Sequence, residues 1–118
     1  MNTIIMSEAE NIVKISTDAL RDKKAENIKV IDISGISIMA DYFIIASGSN
    51  INQLKAMCDN VEEKLIAAGI HKKQTEGYDN GGWILMDYRD VVIHVFDRES
   101  RAFYDLERIW SDGKDVAI

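Results

Sequence analysis

The sequence predicts a single α/β domain in which helices pack on a small mixed sheet of five strands. Its length of 118 residues is that of one domain, and a hydrophobic fraction of 47% is enough for one core. Helical and strand patterns alternate along the chain in the order α-β-β-α-β-β-β-α. We therefore expect one domain over residues 1–118, with an ordered core at about residues 7–110 and a frayed polar tail at 111–118.

The first helix and the first strand have clear sequence signals. Ser7 and Glu10 have the spacing of a capping box, which opens a helix. Apolar residues then recur at helical spacing up to Leu20. Residues 28–33 alternate, are rich in β-branched side chains and stop at Ser34-Gly35, so they predict a strand.

The second strand and the second helix follow directly. Residues 42–46 are continuously apolar, which is typical of a strand covered on both faces. Asn50 with Gln53 predicts a helix start, an apolar stripe that includes Cys58 follows, and Gly69 takes the role of the residue that ends the helix.

The last part of the chain predicts a hairpin. Residues 72–76 are typical of a short edge strand protected by lysines. Residues 83–88 and 91–96 predict two antiparallel strands joined by a tight turn at Arg89-Asp90. A single helical stretch is expected around residues 99–110. Strand alternation separates two sets of side chains, and the sequence leaves open which set faces solvent: Trp83, Leu85 and Asp87, or Ile84, Met86 and Tyr88.

The charge distribution restricts the classes of partner. A net charge of −6 with a pI near 4.8 argues against direct binding to nucleic acid. Half of that charge lies between residues 76 and 90, where Arg89 is the one base among the acids Glu76, Asp79, Asp87 and Asp90. Two interpretations remain open, a solvated acidic rim and a patch that steers a basic protein.

The sequence also indicates the compartment. Residues 1–6 contain no basic segment of the kind that opens a signal peptide, and the longest apolar runs are far below the roughly 20 residues that cross a bilayer. The single Cys58 cannot form an internal disulfide. We therefore expect a cytoplasmic protein with no membrane partner.

No residue pattern predicts a cofactor, a metal site or a catalytic residue. His71, His94 and Cys58 lack ligand spacing, and His94 lies in an apolar strand, where a core role is expected. Nucleotidyl transfer needs two carboxylates that converge on the same ions, whereas Asp87 and Asp90 are separated by a turn and fall on opposite faces. The chain is thus predicted not to be an enzyme, with a residual nucleotide-binding or nucleotidyl-transferring enzyme as the alternative.

Several segments in one order carry a family resemblance. They are residues 40–48 (ADYFIIASG), 76–77 (EG), 83–88 (WILMDY), 90–96 (DVVIHVF), 99–101 (ESR) and 103–110 (FYDLERIW). With these segments the chain closely resembles the ribosomal silencing factor family, also called the Iojap-like family, from about residue 7 to residue 110.

The resemblance implies a fold related to nucleotidyltransferases without their catalytic carboxylates. It also implies binding to the large ribosomal subunit through ribosomal protein uL14, which blocks association with the small subunit and lowers translation when nutrients are scarce. A role in large-subunit assembly and a homodimer in the free state are implied as well. By position, the resemblance assigns partner binding to Trp83, Leu85, Asp87, Tyr88, Asp90 and Tyr78, with Trp83 expected as an exposed anchor at the edge of the sheet rather than a core residue.

Overall fold

The computed structural model describes residues 6–79 and 81–118. Within these ranges the chain forms four helices and six strands, namely α1 Glu8–Asp22, β1 Glu26–Asp32, β2 Tyr42–Gly48, α2 Ile51–Ala67, β3 Gln74–Glu76, β4 Trp83–Asp87, β5 Val91–Asp97, α3 Arg98–Tyr104, α4 Leu106–Ile109 and β6 Lys114–Val116. None of the helices in these ranges has the length and apolarity needed to cross a membrane. The prediction about a signal peptide concerns residues 1–6, and residues 1–5 of these lie outside the described residues.

The strands form one mixed sheet in the order β3-β4-β5-β2-β1-β6. Strands β2 and β5 are parallel, and the other neighbouring pairs are antiparallel. The mixed sheet is confirmed, but it has six strands and not five. The sixth strand lies in the tail that was expected to fray. There β6 pairs with β1, and Val116 is opposite Val30. Three residues are too few to show a strand pattern, so it is pairing with the free side of β1 that orders them.

One face of the sheet is covered by the two long helices. Their predicted starts are confirmed, because the Glu10 amide donates to Ser7 Oγ at 3.1 Å and the Gln53 amide donates to Asn50 Oδ1 at 2.9 Å. Gly69 follows α2 with a φ of +79°, the left-handed conformation that favours glycine at a helix end. The apolar stripes of α1 and α2 pack on the sheet and form the larger core, which includes the fully buried side chains of Leu20, Leu54, Leu65, Ile84 and Ile93.

The other face of the sheet is only partly covered. The single helix expected near the C-terminus is two short helices, because Asp105 adopts a left-handed conformation with a φ of +48°. Leu106 and Trp110 pack on a smaller core made by Ile31, Ile33, Ala40, Ile45 and Phe96. Beside them the face carries half-buried side chains. Together with Trp110 these form what we call the open face: Phe43, Trp83, Leu85 and Val92.

Candidate protein-binding surface

The orientation of β4 decides which candidate residues reach the surface. Ile84 and Met86 point towards the helices and are 0% and 1% exposed. Trp83, Leu85 and Asp87 point to the open face and are half-buried. The predicted alternation is confirmed. The structure also shows which of the two sets of side chains faces away from the helices, a point that the sequence alone does not decide.

Tyr88 lies in the helix-covered core and not on the surface expected of a partner contact. Its side chain is 5% exposed, and burial is the main cause that raises the pKa of its phenol. Its hydroxyl has no hydrogen-bond partner among the described residues. The physical reason is strand alternation, because Tyr88 continues the inward-facing set of Ile84 and Met86 past the end of β4. The expectation that Tyr88 contacts a partner is therefore at odds with its burial.

Trp83 is both a core residue and a surface residue. It does not lie on an edge strand, because β4 lies between β3 and β5, but β3 pairs only with residues 85–87 and does not reach it. Its indole ring packs against Phe96 and Tyr104, with ring centroids 5.0 and 4.6 Å apart. Its remaining surface lines a shallow cavity of about 210 Å³ together with residues 76, 77 and 85. A substitution of Trp83 would thus change folding stability as well as the surface.

His94 is the buried polar partner of Trp83. It is 4% exposed, which confirms the core role predicted for it. The indole N–H of Trp83 donates to His94 Nδ1 at 3.2 Å, and the ring of Phe43 meets His94 edge-on at 4.7 Å. Burial lowers the pKa of His94 to about 4, so the imidazole is neutral at pH 7 and Nδ1 remains an acceptor. His94 therefore fixes the ring of Trp83 from beneath the open face.

The β4–β5 turn presents acidic groups next to this face. Its predicted position is confirmed, with Arg89 at a φ of +70°. The Arg89 amide donates to Asp87 Oδ1 at 2.7 Å, while the side chain of Asp90 is exposed. One carboxylate thus supports the backbone of the turn and the other meets solvent. Among the residues that the structure describes, no cluster of three or more His, Cys, Asp or Glu side chains has a metal-binding arrangement.

Tyr78 lies on the helix side of the sheet, away from the open face. It packs against the larger core, and its hydroxyl donates to the carboxylate oxygens of Asp59 in α2 at 3.0 and 3.1 Å. Lys55 stands 5.0 Å from the centroid of its ring and forms an ion pair with Asp79. The six candidate residues therefore divide into an open-face group (Trp83, Leu85 and Asp87), an exposed turn residue (Asp90) and a helix-side pair (Tyr78 and Tyr88).

Three side chains of the open face were not among the predicted site residues. Phe43 and Val92 are paired in the parallel register of β2 and β5, and Trp110 packs edge-on against Phe43 at 5.1 Å. All three lie in segments that resemble the family, and this resemblance is the one signal in the sequence that could have identified them. Their proximity to Trp83 depends on strand order, which local sequence patterns do not encode.

Comparisons with known proteins agree with this architecture. The family profile described as "Ribosomal silencing factor during starvation" matches residues 6–118. The Bacillus subtilis (strain 168) protein named Ribosomal silencing factor RsfS is 41% identical over 104 residues, which is 88% of this chain and 88% of that protein. The mouse protein named Mitochondrial assembly of ribosomal large subunit protein 1 is 32% identical over 99 residues, which is 78% of this chain and 42% of the mouse protein.

A solved structure supports the same relationship. The crystal structure of a protein from Chromobacterium violaceum matches with a TM-score of 0.86 at 34% sequence identity, covering 95% of this chain and 92% of that one. Sequence similarity and fold similarity therefore extend over nearly the whole length of both proteins. On these grounds the chain belongs to the ribosomal silencing factor family.

Proposed function

We propose that this chain binds the large ribosomal subunit through ribosomal protein uL14 and blocks association with the small subunit, which lowers translation when nutrients are limited. Membership of the ribosomal silencing factor family supports this proposal. The name of the mouse relative refers to assembly of the large ribosomal subunit, and we therefore include a role in maturation of that subunit. We place this activity in the cytoplasm and assign no catalytic step to the chain.

The observation that carries the proposal is the open face with its acidic turn. Half-buried aromatic side chains in a contiguous patch are the kind of surface that supplies interface anchors, and Phe43, Trp83 and Trp110 supply such a patch here. The carboxylate of Asp90 lies at one end of the patch and adds charge complementarity to a basic protein such as uL14.

A bound domain would block subunit joining by its volume. The folded chain measures 46 × 33 × 23 Å along its principal axes. A body of that thickness seated on the joining side of uL14 would hold the small subunit away without any conformational change. We further propose that free chains form a homodimer through the open face, so that self-association and ribosome binding compete.

A charge reversal tests the proposal. Wild-type protein should sediment with purified large subunits and reduce their joining with small subunits. Asp90→Lys should slow association with large subunits, most strongly at low salt, because exposed charges act over a distance that salt screens. Asp22→Lys makes the same charge change on α1, on the helix-covered side, and should associate like the wild type.

The outcomes separate the parts of the proposal. Wild-type protein that never sediments with large subunits would contradict the function itself. Equal association rates for Asp90→Lys and the wild type across a salt series would remove the electrostatic part and leave the apolar contact.

A further inference from the structure

The loop between β1 and β2 presents two apolar side chains fully to solvent. Ile38 is 102% exposed and its neighbour Met39 is 82% exposed, while Ile36 in the same loop is 49% exposed. Single exposed apolar residues are ordinary on protein surfaces, but these three lie within four positions. The exposed tip of this loop is therefore a candidate for burial against a partner.

The loop is held in one shape by its own hydrogen bonds. The Ile33 amide donates to the carbonyl of Asp41 at 2.8 Å, and the Ser37 amide donates to the carbonyl of Ile33 at 2.8 Å. The Met39 amide donates to Ser37 Oγ at 3.1 Å. The loop ends are anchored as well, because Ile33 and Ala40 are 0% and 6% exposed in the smaller core. A partner would meet a preformed tip, so little conformational entropy is lost on binding.

Backbone hydrogen bonds connect this loop to the acidic turn. The amides of Asp41 and Tyr42 both donate to the carbonyl of Asp90, at 2.7 and 3.1 Å. We call the loop 34–40, Asp41 and the turn Arg89-Asp90 the rim. The rim lies at the end of the sheet where β4 finishes and β5 begins, next to the open face. The exposed apolar loop and the acidic turn therefore lie at the same end of the sheet.

The charge of the rim selects its occupant. The rim itself contains Asp41, Asp90 and one base, Arg89, so its net charge is −1. Of the two acids that flank it, Asp32 is opposite Lys114, and the carbonyl of Asp87 accepts a hydrogen bond from the Lys73 amide. This small excess of acid offers no attraction to a second copy of the same rim, to a phosphate backbone or to an anionic membrane surface. A basic protein with an apolar recess is complementary to both the charge and the side chains.

We propose that Ile38 and Met39 are a second anchor for the basic large-subunit protein, beside Asp90 and separate from the anchor on the open face. This inference rests on the function proposed above and adds a further contact to it. It assigns binding to a loop that neither the residue patterns nor the family resemblance selected.

The test uses the full-length chain and purified large ribosomal subunits. The double variant Ile38→Ser with Met39→Ser should bind at least about thirtyfold more weakly than the wild type, which is the scale of an interface hot spot. Its melting temperature should be unchanged, because both side chains are exposed in the free protein. Ile66→Ser is the matched control. It removes a side chain that is 50% exposed on α2, on the helix-covered side of the sheet, and should bind normally.

Each outcome tests either the proposed function or the loop anchor. Absence of wild-type binding would contradict the proposed function. Equal binding by the wild type and a folded double variant would overturn the loop anchor and leave the function standing. An equal loss in Ile66→Ser would overturn it too, by showing a general effect of apolar surface. The assignment would also fail if the double substitution changed the mass of the free protein in light scattering or its binding to anionic vesicles. If the double variant melts early, the single variant Ile38→Ser provides the same comparison.

Discussion

The hydrogen bond between Trp83 and His94 makes the protonation state of one buried side chain important for the open face. His94 must stay neutral to accept the indole N–H, and burial keeps it neutral by lowering its pKa to about 4. The exposed part of Trp83 is thereby supported from below by a group that a partner does not touch.

This arrangement predicts a specific dependence of stability on pH. Between the ordinary histidine pKa of about 6.5 and the folded value of about 4, the unfolded chain binds a proton that the folded chain does not. The free energy of unfolding should therefore fall as the pH drops through that window, by up to about 3 kcal/mol, and this contribution should be constant above pH 6.5.

Urea unfolding at pH 7, 5.5 and 4.5 measures this contribution. His94→Gln should show a shallower fall in stability than the wild type, because Gln does not titrate there. His71→Gln, which replaces the exposed histidine, should follow the wild type and controls for loss of an imidazole. Parallel curves for His94→Gln and the wild type would contradict the assignment.

The burial of His94 could be predicted from its apolar neighbours, but its partner could not. Trp83 lies on another strand, and the contact arises only from the β4–β5 register. The same limit applies to Tyr88, since alternation separates it from Trp83 and Asp87 without indicating which face the helices cover. Residue patterns define sets of side chains, and packing decides their orientation.

Among the elements, β6 depends on the glycine before it, because the backbone of Gly113 passes close to the side chain of Ile31. A Cβ added at Gly113 would lie 2.5 Å from Ile31 Cγ2 and 3.0 Å from the carbonyl oxygen of Asp32. Ile31 is 2% exposed and packed in the smaller core, so it has no room to move away. Only glycine fits where the chain turns from Trp110 into β6.

Gly113→Ala should therefore separate β6 from β1. We expect a loss of about 1–3 kcal/mol in the free energy of unfolding, as for other overpacked sites, with faster amide exchange in residues 114–116. Gly35→Ala is the matched control, because no atom lies within 4 Å of its added Cβ, and its effect should stay within about 0.5 kcal/mol. Denaturant unfolding with hydrogen exchange gives both measurements, and equal stabilities of the two variants would refute this role for Gly113.

Elements with strong local signals were predictable, and elements that depend on distant contacts were not. The starts of α1 and α2 follow from capping residues within a single turn. Gln53 also has a role in packing that its position in the capping pattern does not indicate. Its side chain accepts a hydrogen bond from the Ser49 amide and donates to the carbonyls of Lys23 and Lys24, which ties α2 to the end of α1. The break at Asp105 and the strand β6 likewise depend on packing and pairing that no short window of sequence reveals.

For the molecule as a whole, two proposed associations share one surface. If free chains pair through the open face, then binding to uL14 must first separate them. Light scattering should therefore give a dimer for the free protein and a one-to-one complex after purified uL14 is added. A stable complex that retains two copies of the chain would contradict the shared surface.

Two variants sharpen this measurement. Leu85→Asp places a charge on the open face and should weaken both associations. Ile38→Ser with Met39→Ser changes only the rim and should weaken binding to uL14 while the dimer persists. The fold class and the order of most elements could be predicted for the whole chain, but the strand order that assembles the open face could not.

The parallel pairing of β2 with β5 at the centre of the sheet also has a consequence for folding during translation. Strand β2 pairs along its full length with β5, which is synthesised only after α2, β3 and β4. Until β5 emerges, the apolar strand β2 has one unpaired side, and the pairing must close a long stretch of chain. Formation of the sheet centre is therefore expected to be a late step during translation. A chain halted before β5 would expose an aggregation-prone strand, so degradation or chaperone binding of such fragments matters more here than for a protein built from local hairpins.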